Sequence, residues 1–97
     1  MTINEDKNGD ELTISLEGKL DAFTAPELQS ELEDSLEGIN KVILDFSKLV
    51  YLSSAGIRLL FWVRKNLNKQ GKMTARNASD RIKEIITGVG FSEILEV

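Results

Sequence analysis

The sequence predicts an α/β fold: a mixed sheet of four to five strands with three helices packed mainly on one face. Three observations carry this prediction. One segment alternates apolar and polar residues with the period of a half-buried strand. A second is almost continuously apolar over strand length. Three others show helical spacing of apolar residues with capping signals at their ends. At 97 residues, 41% hydrophobic and 29% charged, the chain supports one core and is too short for a second, so residues 1–97 are read as one domain.

Along the chain, Leu12, Ile14 and Leu16 alternate with Thr13, Ser15 and Glu17, and the preceding Asn8-Gly9 favours a tight hairpin that pairs residues 2–7 with 11–18. Thr24-Ala25-Pro26-Glu27 reads as a helix start, with Thr24 as N-cap, Glu27 completing a capping box and Pro26 in the first turn. Leu28, Leu32 and Leu36 then define a buried stripe, and Gly38 is the stop. Val42, Ile43, Leu44 and Phe46 make a strand covered on both faces or central in the sheet, ending at Asp45-Phe46-Ser47. Residues 54–69 form the most apolar helix, with Gly56, Leu60, Val63 and Leu67 along one stripe. Lys72–Arg76 reads as a short strand. Ser79 caps a third helix whose apolar face is Ile82, Ile85 and Ile86, and residues 91–97 are expected to add a last edge strand. This order requires at least one right-handed crossover and hence a mixed sheet.

Composition narrows the chemistry. A net charge of -4 argues against a basic surface for nucleic acid or anionic lipid. The absence of Cys and His removes disulfides, thiol nucleophiles, most zinc sites and the Ser-His-Asp arrangement. No apolar run approaches the ~18 residues of a membrane span, and the first residues lack the layout of a signal peptide, so a cytoplasmic protein is expected. Asp21 and Asp45 suit acid/base work or magnesium only if they lie together, and nothing in their spacing brings them together.

The informative segment runs from Leu49 to Arg58. Ser53 is placed to be the N-cap of the long helix, and Ser54 then takes the first helical position, where unpaired N–H groups and the positive end of the macrodipole favour an anion. Ser54 and Arg58, four residues apart, fall about 40° apart on a helical wheel. Trp62, Lys65 and Lys69 continue that face, and Trp62 is either an interface hot spot or extra core tucked over a neighbouring helix. Asp21 follows the alternating strand. If that strand runs parallel to residues 40–46, Asp21 stands near Ser53 and Ser54; otherwise it caps a turn.

Leu16-Glu17-Gly18-Lys19-Leu20-Asp21, Val42-Ile43-Leu44-Asp45-Phe46-Ser47 and the helix start from Tyr51 to Leu60 together resemble the STAS domain, and within it the small bacterial anti-sigma-factor antagonists. The resemblance implies a mixed sheet with helices gathered on one face. It also implies that the residue registered on Gly56 at position 54 is the phosphoacceptor of a partner that is both serine kinase and anti-sigma factor. Ser53 stands where many members carry Asp, which removes a charge beside the acceptor, and Ala55 where they carry Ser or Thr. The implied mechanism is partner switching: the unphosphorylated chain binds the kinase and frees a sigma factor, phosphorylation of Ser54 ends the binding, and a serine phosphatase resets the switch. ATP and magnesium then belong to the kinase, and this chain, a monomer or weak dimer without a cofactor, is a substrate and regulator rather than an enzyme. Asp21, Ser53, Ser54, Gly56, Arg58 and Trp62 are the expected partner-binding residues. Two other readings are a non-switching subunit of a transport or lipid-trafficking complex, and a nucleotide sensor using the helix N-terminus.

Overall fold

A computed structural model describes residues 1–67 and 70–96. The elements are β1 (Thr2–Asn8), β2 (Glu11–Leu20), α1 (Ala25–Ser35), β3 (Lys41–Leu52), α2 (Ser54–Asn66), β4 (Lys72–Arg76) and α3 (Asp80–Gly88), followed by a single 3-10 turn at Ser92–Ile94. The sheet order is β1-β2-β3-β4, with β1 antiparallel to β2 and the β2/β3 and β3/β4 pairs parallel, so α1 and α2 are the crossovers. The hairpin is as tight as the sequence implies, but its two central residues are Gly9 and Asp10, between paired Asn8 and Glu11. Gly9 takes φ +65, which glycine adopts without a steric penalty.

One core joins the helices to one face of the sheet. Leu12, Ile14 and Leu16 of β2 and Val42, Leu44 and Phe46 of β3 meet Leu28 and Leu32 of α1, Leu60 and Val63 of α2, and Ile82 and Ile86 of α3. The opposite face carries Thr13, Ile43 and Thr74 in one row and Ser15, Asp45 and Arg76 in the next. Ile43 is buried there without belonging to the main core, which accounts for the unbroken apolar run in β3.

Three expectations are corrected. Thr24 stands at the N-cap position of α1, but its side chain makes no cap hydrogen bond and forms no capping box. Its backbone is already helical and its hydroxyl donates to the Lys19 carbonyl at 2.7 Å, while Asp21 Oδ1 accepts from the N–H groups of Phe23 (2.9 Å) and Thr24 (3.1 Å). A carboxylate is the stronger acceptor, so Asp21 takes the cap and the helical turn begins before Ala25, whose N–H reaches the Asp21 carbonyl at 2.8 Å. Second, β3 does not stop at residues 45–47 but runs to Leu52 through two irregularities against β2. Each inserts a residue, so Phe46, Leu49 and Leu52 face the core at a spacing of three, and Asp45 Oδ1 satisfies the displaced Ser47 N–H at 3.0 Å.

Third, of the expected last strand over 91–97, the described residues 91–96 form none. Gly90 (φ +78) ends α3 with its own N–H on Thr87 and the Phe91 N–H on Ile86, both at 3.0 Å, a Schellman arrangement that drops Phe91 into the core. The 3-10 turn uses the next residues, leaving a single bridge from Leu95 to Ala75 on the β4 edge. The long helix itself ends at Asn66, where its C-cap Leu67 is extended (φ -78, ψ 155); Lys69, placed by sequence on the Ser54 face, lies outside the described residues.

A like-charge contact also follows from the topology. Glu5, paired with Ile14 and so on the helix side of β1, faces Glu31 of α1; loss of hydration and the Glu5 charge both raise the Glu31 carboxyl above its ordinary range. A raised folded-state pKa on an acid means that its ionised form weakens the fold, and that this penalty fades as pH falls through that pKa. Glu31→Lys is therefore expected to raise the melting temperature at pH 7 by about 2–4 °C, equivalent to about 0.5 kcal/mol after solvent screening. The gain should shrink in melts at low pH, where the Glu31 carboxyl is neutral and no penalty remains for the substitution to relieve.

Candidate functional site

Because β2 and β3 are parallel, both deliver their last residues to the same edge of the sheet, where Leu20 pairs with Leu52. The next residue on each strand opens a loop, and the two loops are tied by the Ser53 N–H on the Leu20 carbonyl at 3.0 Å. This meets the condition under which Asp21 stands beside the serines. Asp45 does not join them: it pairs with Ser15, five residues before Leu20, about 16 Å back along the strand, and bonds Ser47 and Asn77. The two aspartates do not form a carboxylate pair.

Ser53 is extended (φ -92, ψ 174) and its Oγ accepts from the Gly56 N–H at 3.4 Å, while its carbonyl accepts the Ile57 N–H at 2.9 Å. It is the N-cap of α2, as expected. Ser54 is consequently the first helical residue, exposed, and its hydroxyl makes no hydrogen bond among the described residues. Gly56, two residues on, is buried where α2 crosses the end of β2. A Cβ there would lie 2.7 Å from Leu52 Cδ1 and 2.8 Å from the Leu20 carbonyl oxygen, so the absent side chain is what lets the helix start rest on the strand end.

The β2–α1 loop is held by its own polar groups. Asp21 caps two N–H groups, Thr24 Oγ1 accepts from the Asp21 N–H at 2.9 Å, and the hydroxyl closes onto Lys19. The Phe23 N–H, with smaller contributions from Thr24 and the Lys19 charge, holds the Asp21 carboxyl below its ordinary range. The ring of bonds leaves Phe23 pointing outward, 92% exposed. Sequence reading missed it. The available signal was a phenylalanine between a strand end and a capped helix, off the stripe of Leu28, Leu32 and Leu36.

Between this loop and α2 lies an open groove of about 350 Å³ walled by Ala22, Ala25 and Pro26 on one side and Ala55, Arg58 and Trp62 on the other. Arg58 is exposed on the Ser54 face. Trp62 takes the second of its two sequence roles, partly buried against the core, and it still forms the groove wall. The first turn of α2 carries no acidic residue, so Ser54 sits at a positive helix end with no negative side chain from that turn beside it.

Residues 2–97 match the STAS domain family. The chain is 31% identical to the Bordetella bronchiseptica protein BtrV, over 100% of its own length and 85% of that protein's. It is 28% identical to the anti-sigma-B factor antagonist of Listeria monocytogenes, covering 96% of this chain and 83% of that one. Among solved structures, the unphosphorylated form of the anti-sigma factor antagonist SpoIIAA superposes with a TM-score of 0.89 at 16% identity, covering 98% of this chain and 86% of that one. An anti-sigma factor antagonist from Mycobacterium paratuberculosis gives 0.76 at 23% identity, covering 97% and 83%. The mixed sheet, its helix layer and the family match agree, and the chain belongs to the STAS domain family.

Proposed function

We propose that this chain is an anti-sigma-factor antagonist acting by partner switching, with Ser54 as the phosphoacceptor. The observation that carries the reading is the division of labour between the two serines: Ser53 Oγ is spent on the helix cap, and Ser54 Oγ is exposed and unbonded among the described residues. Relatives named as antagonists support it, as does the likeness to the fold of SpoIIAA, solved in unphosphorylated and phosphorylated forms. The unphosphorylated chain binds an anti-sigma factor that is also a serine kinase, in the cytoplasm, and so releases a sigma factor. The kinase transfers the γ-phosphoryl of its ATP to Ser54 Oγ. The bond to the β-phosphate breaks, ADP leaves, and the hydroxyl proton passes to a base of the kinase. A serine phosphatase hydrolyses the ester and restores binding.

The test is incubation of the purified chain with each serine-kinase anti-sigma factor of its host, ATP and magnesium, followed by intact mass and peptide mapping. One phosphate on Ser54 is expected, absent from Ser54→Ala and retained by Ser53→Ala. Equal labelling of Ser54→Ala, or no labelling by any such kinase, would overturn the reading.

A further inference from the structure

Phe23 is the most exposed of the large apolar side chains, at 92%, in a β2–α1 connection whose Asp21 and Thr24 are half-buried. Its exposure is not slack in the loop. Two hydrogen bonds to Asp21 Oδ1 from the Phe23 and Thr24 N–H groups, one from the Asp21 N–H to Thr24 Oγ1 and one from the Thr24 hydroxyl to the Lys19 carbonyl fix the backbone on both sides of it. The folded state therefore spends a polar ring on presenting an aromatic side chain to solvent, where it contributes nothing to the core. A rigid, outward aromatic with few rotamers is the composition of an interface anchor, since little conformational entropy remains to be lost when it is covered.

Its position selects the partner. The loop that carries Phe23 shares the groove with Ala55 and Arg58, and is bonded through Leu20 to Ser53, so Ala22 and Ala55, the chain neighbours of Phe23 and Ser54, face each other across one groove. The exposed charges Lys19 and Arg58 are basic, the Asp21 carboxylate is taken up by the Phe23 and Thr24 N–H groups, and Glu27 is the exposed acid of the α1 start, in a chain that carries -4 as a whole. A surface of this kind fits an apolar pocket with an acidic rim. We infer that Phe23 is the anchor that docks this chain into an apolar, acid-rimmed pocket of the same kinase and anti-sigma factor that acts on Ser54. The inference rests on the partner-switching reading and adds a binding determinant to it. It also accounts for the direction of the switch, because a phosphate on Ser54 would meet the rim that Lys19 and Arg58 complement.

The test is titration calorimetry of the purified kinase with wild type, Phe23→Ala, Phe23→Leu and Val89→Ala, alongside thermal melts of each variant. Val89 is an exposed apolar residue at the end of α3 and controls for general stickiness. Phe23→Ala should weaken binding about thirty-fold and raise KM for Ser54 phosphorylation with little change in kcat, at an unchanged melting temperature. Phe23→Leu should retain most of the affinity and Val89→Ala all of it. Wild-type affinity in Phe23→Ala, with Ser54 still phosphorylated, overturns the anchor and leaves the switch standing. Loss of a dimer of this chain in sedimentation of Phe23→Ala, with kinase binding intact, assigns Phe23 to self-association and also overturns it. Failure of the wild type to bind any such kinase removes the switch and the anchor together.

Discussion

Ser54→Glu is expected to lower affinity for the kinase at least a hundredfold while the melting temperature stays within about 2 °C of wild type, and phosphoserine at the same position should do more. The two halves of this result have different physical sources. Within the free chain, position 54 is the first residue of α2, with no acidic neighbour in that turn and Arg58 one turn along the same face. Negative charge there is favoured by the macrodipole and by an i, i+4 partner, so the fold has no reason to change. Inside a complex the same charge loses its water or meets like charge, and a few kcal/mol of either is a hundredfold or more in binding. Glu brings one charge and phosphate about -1.5 to -2 at pH 7, so the two should converge near pH 5, below the second phosphate pKa of about 6. Calorimetry with paired melts decides it. Unchanged affinity of Ser54→Glu would remove electrostatic exclusion as the mechanism, and a melting temperature lowered by about 10 °C would mean that the switch works by unfolding.

The parts of this site that were legible in the sequence are those set by local chemistry. Capping needs a hydroxyl one residue before a helical stripe, so Ser53 as cap and Ser54 as first helical residue follow from the Leu52 to Leu60 pattern without any knowledge of the sheet. The placement of Asp21 was conditional, because it depends on whether β2 and β3 run parallel, and that is a property of the whole topology. The side chain that caps the start of α1 escapes the sequence for a related reason. Thr24 and Asp21 are both good caps three residues apart, and the contest is decided by the Lys19 carbonyl, which draws the threonine hydroxyl away. The length of β3 was hidden by its two bulges, which turn a period of two into a spacing of three and leave Asp45-Phe46-Ser47 looking like a strand end. Phe23 carries no periodic signal at all. Its importance lies in being uncovered, which only the packed helices and sheet define.

Gly56→Ala should destabilise the domain by about 2 kcal/mol, a fall in melting temperature of about 8–16 °C, even though alanine is the better helix former by about 1 kcal/mol. Two contacts set the sign. A Cβ at position 56 would come within 2.7 Å of Leu52 Cδ1, a flexible end that can rotate away, and within 2.8 Å of the Leu20 carbonyl oxygen, which cannot. That carbonyl accepts the Ser53 N–H, so α2 can retreat from it only by stretching the bond that ties the two loops and by disturbing the Ser53 cap. Overpacking of this kind costs about 1–3 kcal/mol, the strained hydrogen bond and cap about 1 kcal/mol each, and the sum exceeds the propensity gain. Adding Leu52→Val should then recover only part of the loss, because it relieves the side-chain contact and not the carbonyl. Full recovery in the double variant would show that the carbonyl contact is harmless, and a raised melting temperature for Gly56→Ala alone would show that helix propensity outweighs both. The functional consequence follows from the same geometry: a helix start lifted off Leu20 carries Ser54 with it, so the variant should be a slower kinase substrate even at temperatures where it remains folded.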